Sequence, residues 1–323
     1  DLSAVRRLAR LLRENSVDVV HSHNWGTLIE TALGRRFAGV PFHIHTEHGQ
    51  GLHEGIGSLK GQLRKHATHW AFNRADEIIV CAESVRPLVT ARSGFPESRI
   101  RFLPNGVEDP LERPINVQPA DLRRQLGIPQ EALVLGSIGR LVDVKDFPTA
   151  LAATALLQDE RVPVHLVLVG DGPNLKPLQD RTQELGLTDR VHLVGWHTNI
   201  ADWLRLFDVY INCSRSEAMS MGILEAMAAG VPIVATDVGD NRSLVLGFDK
   251  PCGCVVPAGS PEHLASGIRE VLSQPDDRDR FSRQARHRYE TTFSIARMVE
   301  RHQSLYKGNP NTASPVRETA IAR

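Results

Sequence analysis

Two α/β domains in tandem, each a doubly wound parallel sheet, are what this sequence predicts, and three observations carry the prediction. The chain has 323 residues, enough for two domains of ordinary size, and its 41% hydrophobic content can fill two cores. From residue 131 onward short β-branched runs alternate with longer helical patterns, as a parallel sheet with crossover helices requires. The apolar runs are unalternated, as strands covered on both faces must be.

The elements follow in order. In DLSAVRRLARLLRENS, Val5, Leu8, Leu11 and Leu12 recur at helical spacing and lead into the strand VDVVHSH. PFHIHTEHG, DEIIVCAES and IRFLPNGV read as further strands. Each ends in polar or glycine residues, and open α/β sheets bind ligands at the carboxyl ends of their strands. This first domain spans 1–110. Asn105 and Gly106 supply a turn, and the polar stretch 111–130 reads as a linker. The second domain spans 131–292, where LVLGSIG precedes FPTALAATALL, VHLVLVGDG precedes LKPLQDRTQELG, VHLVG precedes IADWLRLF, and DVYINC precedes MGILEAMAAG and VPIVATD. Helical patterns follow at about 261–273, 278–290 and 294–306. The segment 293–307 is expected to cross back to the first domain, and 308–323, short of apolar residues, to be disordered.

Composition sets outer limits. Thirty-eight Lys plus Arg balance thirty-eight Asp plus Glu, so no global field attracts nucleic acid, and none is expected as a partner. No apolar run approaches the roughly 18 residues of a membrane span, and the first residues lack the apolar core of a secretory signal, which points to the cytoplasm. Of Cys81, Cys213, Cys252 and Cys254 the last two are close, but no second Cys or His cluster completes a ligand set, so reduced thiols and no metal are expected.

The stretch SEAMSMGILEAMAAGVPIVATDVGD, residues 216–240, holds two glutamates eight positions apart. Gly230, Val231 and Pro232 close a helix running from about Met221 to Ala229, which puts Glu225 inside it. Its neighbours Met221, Gly222, Ala228 and Ala229 carry no countercharge. A buried Glu225 then needs donors from elsewhere, and ligand hydroxyls would serve; the other reading is a solvated glutamate on a short helix. Glu217 precedes the helix, whose first amides, at Ser220, Met221 and Gly222, form an anion site. A phosphate on those amides with sugar hydroxyls on the two carboxylates would use all of them. In GSIGRLVDVKDF, Arg140 and Lys145 follow the first strand of this domain at the same sheet edge, either converging on a pyrophosphate or standing as solvated cations. Gly170 and Gly172 could be turn residues only.

GRLVDVK, LVGDGP, VHLVGW, DVYINCSRSEAMSMGILEAMAAGVPIVATDVGD, DVVHSH and LPNGV together resemble glycosyltransferase family 4, retaining enzymes of the GT-B fold, from residue 1 to about 307. The resemblance implies two Rossmann-like domains facing a cleft and transfer from a nucleoside diphosphate sugar to a carbohydrate or lipid-linked acceptor, in cell-surface polysaccharide or glycolipid synthesis. It implies that Arg140 and Lys145 bind the donor diphosphate, that Glu225 accepts from the ribose and that Glu217 meets the donor sugar near the reacting centre. The loop holding Trp196 and His197 would receive the base. His48 in HTEHG would face the donor sugar as a catalytic residue, with His45 the residue most easily confused with it and His23 a candidate for lining the cleft. Cations and amides would stabilise the leaving diphosphate, so no metal or other cofactor is expected.

Two departures from the family pattern stand out. Ala218 occupies the position after the first glutamate where glycine is usual. The strand, glycine-rich turn and further strand that open the family's first domain are absent here, so the first domain is expected to be incomplete and the chain an N-terminally truncated product. In SLKGQLRKHATHWAFNRAD, Leu59, Leu63, Ala67 and Trp70 form a stripe with Lys60, Arg64, Lys65 and Arg74 around it, which would either rest peripherally on an anionic membrane or cover the first sheet. The rival functions are another GT-B enzyme, such as a sugar-nucleotide epimerase, and a non-catalytic nucleotide-sugar-binding module.

Overall fold

The computed structural model describes residues 2–49, 59–159, 162–247, 250–273 and 275–307. Its contacts divide it into two compact units, the first built from residues up to Pro104 with the segment from Val299, the second from Asn105–Met298. Both are parallel α/β sheets, the architecture expected from the strand–helix alternation.

Unit 1 runs α1 (Leu2–Glu14), β1 (Val19–His23), α2 (Trp25–Ala38), β2 (Phe42–Glu47), α3 (Leu59–Phe72), β3 (Glu77–Val80), α4 (Arg86–Ser93) and β4 (Ile100–Phe102). The four strands pair in parallel in the order β1-β2-β3-β4. On α1 the buried face is Val5, Ala9 and Leu12, at 2%, 2% and 7% exposure, while Leu11 is 56% exposed. The expected stripe was therefore rotated: Ala9 is buried in place of Leu11, and Leu8 lies so close to Gly34 on α2 that a Cβ there would stand 2.9 Å from Leu8 Cδ2. On α3, Thr68, Ala71 and Phe72 are the buried residues and Leu63 is 63% exposed. The stripe read from the sequence is thus not the buried face at Leu63; the side chains of Leu59, Lys60 and Arg64 lie outside the described residues. The sheet packs through Ile44, Ile79 and Leu103, joined by Leu305 from the chain's last helix.

Unit 2 runs α5 (Pro119–Leu126), β5 (Leu133–Ile138), α6 (Phe147–Asp159), β6 (Val164–Val169), α7 (Leu175–Glu184), β7 (Val191–Gly195), α8 (Ile200–Leu206), β8 (Val209–Asn212), α9 (Met221–Ala228), β9 (Ile233–Thr236), α10 (Asn241–Leu246), β10 (Gly253–Val256), α11 (Pro261–Leu272), α12 (Pro275–Arg288) and the start of α13 (Ile295–Tyr306). The six-stranded order is β10-β9-β8-β5-β6-β7. Every residue of β6 is buried, His165 included, as an unalternated and largely apolar strand covered on both faces requires. The stretch 111–130, expected as a linker, carries helix α5. Proline starts it, Gly127 closes it at φ 66°, and Leu122, 4% exposed, docks it together with Ile128, 5% exposed, and the Arg123–Asp208 ion pair. The units divide at 104/105 and within α13 at 298/299, where the sequence placed boundaries at 110 and 292. Residues 308–323, expected to be disordered, lie outside the described residues.

One packing contact yields a prediction. Gly136, in the middle of β5, lies under Phe207, and a Cβ there would stand 2.1 Å from the ring. Gly136→Ala should destabilise unit 2 by about 2–3 kcal/mol through overpacking, lowering its melting temperature by several degrees. An unchanged melting curve would show that the ring moves aside without cost.

Candidate functional site

The loops that leave β5, β6 and β8 at their carboxyl ends are tied to each other by backbone. Gly139 N–H donates to Val169 O at 3.0 Å and Leu141 N–H to Asp171 O at 2.9 Å. Gly170 and Gly172 permit this approach, since a Cβ on either would fall 1.9 Å from Gly139 O or 2.4 Å from Leu141 O. Their role is closer than that of turn residues only. The β5 loop then meets the β8 loop: Arg215 N–H donates to Val144 O at 2.8 Å, and Cys213 Sγ lies 3.1 Å from Lys145 O. Asp146, left-handed at φ 49°, follows Lys145, accepts from Thr149 Oγ1 at 2.8 Å and is buried. An aspartate tolerates that conformation better than most residues, so the turn presenting Lys145 is held from both sides.

Lys145 Nζ donates to Glu217 Oε1 at 2.6 Å, with the two side chains 26% and 12% exposed. The same oxygen accepts from Ser214 Oγ at 2.7 Å and faces Asn212 Nδ2 at 3.4 Å. Asn212, buried at the end of β8, also donates to Ser220 Oγ at 3.0 Å and accepts from Asn241 Nδ2 at 3.1 Å. Neither asparagine nor Ser214 was identified from the sequence. The available signal was an asparagine closing the otherwise apolar run DVYIN. The sequence left Glu217 without a local partner, but the fold supplies a cation and a hydroxyl.

Ser220 stands at the N-cap of α9, and its side chain makes no capping bond to the amides of the first turn. Gly222, in that turn, packs on Tyr210: a Cβ would lie 2.0 Å from the phenol oxygen. Burial pushes the Tyr210 hydroxyl up, with a further push from Glu225. Ala218 is not among the residues with positive φ. Gly239, at φ 53°, takes the strained position instead, where a Cβ would meet Glu217 O at 2.2 Å, and Asp240 N–H donates to Ala218 O at 3.0 Å. Alanine at 218 therefore fits without strain.

Glu225 is half-buried and lines a cavity of about 340 Å³ with Thr198, Ile200, Arg113, Met221 and backbone around Gly106. Among the described residues its carboxylate has neither a hydrogen bond nor an ion pair. Burial raises its pKa to about 7. Arg140 is exposed on the β5 loop. Trp196 is 70% exposed, and His197 bonds Val194 O at 3.1 Å with its ring 4.8 Å from that of Trp203. Arg140, Lys145, Glu217, Ser220, Met221, Gly222 and Glu225 thus all belong to unit 2, on the loops and helix at the carboxyl edge of its sheet. Among the described residues no group of three or more His, Cys, Asp or Glu side chains is placed to hold a metal ion.

His48 belongs to unit 1, just past the end of β2, half-buried, with Nε2 2.9 Å from His23 Nδ1. Burial, then the neighbouring His23, lowers its pKa. His45 is different in kind. It is fully buried, with Nδ1 2.8 Å from Ser22 Oγ and its ring edge-on to Phe72 at 5.2 Å. His23 continues the row towards His21, ring centroids 4.2 Å apart, and His21 reaches Tyr306 Oη at 2.8 Å. No helix among the described residues is long and apolar enough to cross a membrane.

Comparison with known proteins gives this geometry a family. The profile of glycosyl transferases group 1 matches residues 119–288, and that of glycosyltransferase family 4 matches residues 1–109. The D-inositol 3-phosphate glycosyltransferase of Geodermatophilus obscurus is 30% identical over 97% of this chain and 72% of its own length. The Escherichia coli UDP-Gal:alpha-D-GlcNAc-diphosphoundecaprenol alpha-1,3-galactosyltransferase is 26% identical over 95% of this chain and 79% of its own. Among solved structures, Anabaena HepE in complex with UDP superposes with a TM-score of 0.79 at 21% identity, covering 94% of this chain and 82% of that one. Two parallel-sheet units in this order are the GT-B fold, and the chain belongs to glycosyltransferase family 4.

Proposed function

We propose that this glycosyltransferase moves a sugar from a nucleoside diphosphate sugar to an acceptor hydroxyl with retention of anomeric configuration, in the synthesis of cell-surface polysaccharide or glycolipid at the cytoplasmic side. The observation that carries the donor reading is Glu225, whose carboxylate lines a cavity and, among the described residues, accepts no hydrogen bond, one turn from the N-terminal amides of α9. A vicinal diol on the carboxylate and a phosphate on the amides would satisfy both. UDP in the HepE complex and the UDP-sugar named for the E. coli relative lend support.

In the proposed reaction the bond from the anomeric carbon to the diphosphate oxygen breaks while the acceptor oxygen bonds to the same face. The acceptor proton passes to the departing diphosphate. Arg140, Lys145 and the α9 amides take up the charge, so no metal is required of the mechanism. Glu217, held by Lys145 and Ser214, is proposed to orient donor-sugar hydroxyls rather than to act as a nucleophile. His48 is proposed to meet the donor sugar. The acceptor is a carbohydrate or a lipid-linked sugar, the latter with peripheral membrane contact.

A thermal-shift screen of uridine, guanosine and adenosine diphosphate sugars identifies the donor, and the anomeric configuration of the product by NMR tests retention. Donor binding without turnover would favour a non-catalytic binding module. Glu225→Ala should weaken donor binding about ten- to a hundred-fold, the worth of hydrogen bonds to a charged acceptor. The wild-type dissociation constant should fall as pH rises from 6 to 8, because ionisation near pH 7 creates the better acceptor. Glu225→Gln should abolish that dependence. Unchanged affinity in both variants would remove Glu225 from the donor site.

A further inference from the structure

Unit 1 holds a second cavity, of about 460 Å³, at the amino-terminal edge of its sheet. It is bounded by the ends of α2 and α3 and by the turns that open β3 and β4, whereas His48 follows the carboxyl end of β2. Four guanidinium groups line it, Arg35, Arg36, Arg74 and Arg99, against a single carboxylate, Asp76.

That carboxylate is already occupied. Arg35 Nη1 lies 2.8 Å from Asp76 Oδ2, and the same oxygen accepts from His43 N–H at 2.7 Å. Arg35 also donates to the carbonyls of Val40, Pro41 and Arg74, so its role is to close the ends of two helices. Arg36, Arg74 and Arg99 have no such use: none forms an ion pair among the described residues, and all three are exposed. Two of them nonetheless lie over aromatic rings. The Arg74 guanidinium carbon lies 5.4 Å from the centre of the Trp70 ring, and that of Arg99 lies 4.5 Å from the centre of Phe95. Stacking leaves the N–H edges available and reduces the entropy lost when they bind, which suits bidentate recognition of an oxoanion.

We infer that this cavity is a binding site for a phosphate group, separate from the donor site of unit 2. Three uncompensated guanidinium groups match a dianionic phosphomonoester or a diphosphate, and the volume lies within the range of small-ligand pockets. Trp70, which lines the cavity, offers an apolar wall to whatever the phosphate carries. The phosphate belongs either to a soluble anion or to a lipid headgroup, and the two are separable by experiment.

The test uses the full chain carrying Arg140→Ala and Lys145→Ala, so that the cations of the donor site contribute nothing, with and without Arg74→Ala plus Arg99→Ala. Inorganic pyrophosphate is titrated by calorimetry, and flotation is measured with phosphatidylglycerol vesicles and with phosphatidylcholine vesicles. The inference expects binding to pyrophosphate, to the anionic vesicles, or to both, weakened at least tenfold by the second pair of substitutions while circular dichroism is unchanged. Pyrophosphate binding without flotation identifies a soluble anion; flotation with anionic vesicles identifies a headgroup. Binding to neither probe, or equal binding by both proteins, overturns the site. Donor binding by the chain with its native Arg140 and Lys145 is measured in parallel, so loss of the donor reading would be seen separately.

Discussion

Alanine at Lys145 is expected to lower kcat about 10²- to 10³-fold, with a much smaller change in the donor dissociation constant. The reason lies in how the ammonium is held. One of its three N–H groups is fixed on Glu217 Oε1 at 2.6 Å, which leaves the others available to a diphosphate at the end of α9. A preorganised charge of this kind is worth most where negative charge develops, on the departing diphosphate, and removal of one such donor typically costs a few kcal/mol in the transition state. Steady-state rates and equilibrium donor binding, measured separately, decide the matter. Equal losses in both would mean that Lys145 binds the ground state and transition state alike.

The substitution also strips a cation from Glu217, whose side chain is only 12% exposed. Ser214 and Asn212 remain as partners, so the stability cost should stay below the roughly 3–5 kcal/mol of a fully orphaned buried charge. Glu217→Gln supplies the control. It keeps an acceptor oxygen for Ser214 and removes the negative charge beside Lys145, so it should damage turnover more than nucleotide binding. If Glu217→Gln instead weakens nucleotide binding and Glu225→Ala damages turnover, the two glutamates have been assigned to the wrong groups.

The two glutamates also show which parts of the site were legible in the sequence. Glu225 was legible because a helix makes neighbours of residues three and four apart, and all of those were uncharged; among the described residues the fold provides no hydrogen-bond or ion-pair partner either. Glu217 was not, because its cation is 72 residues away, on the loop after β5. That loop reaches it only because β5 and β8 are neighbours in the sheet, and strand order is not written in local pattern. The strands themselves were readable from unalternated, largely apolar runs such as VHLVLV. Helix α5 was missed because Leu122 is the buried residue among its eight and Arg123 finds its partner Asp208 85 residues away. On α1 only Leu11 was misassigned, because the face that packs on α2, where Leu8 meets Gly34, is set by tertiary contact.

Acid should destabilise unit 1 well before its carboxylates titrate. His43 and His45 sit on one face of β2, two residues apart, and both hold Ser22 Oγ at 2.8 Å. Both are fully buried, and burial, with neighbouring histidines as the second cause, lowers the pKa of His43 to about 4 and of His45 to about 3. Glu47 Oε2 lies 3.7 Å from His45 Nε2, beyond hydrogen-bond distance. His21 is lowered to about 3 by burial and then by His23. The sign follows from the depressed values. The unfolded chain binds protons near pH 6.5 and the folded chain does not, so these groups cost nothing above pH 6.5 and destabilise progressively as pH falls towards 4. Between pH 7.5 and pH 5 the cost is about 2 kcal/mol for each of His43 and His45, about 4 kcal/mol for the pair, with a smaller addition from the partly exposed His21. Against a total stability of about 5–15 kcal/mol that loss is large. Urea unfolding at the two pH values measures it, and His43→Gln should flatten the dependence by about half. A midpoint that does not move between pH 7.5 and pH 5 would mean that these histidines reach protons without unfolding, and that the row from Tyr306 through His21 and His23 to His48 is wetter than its packing implies.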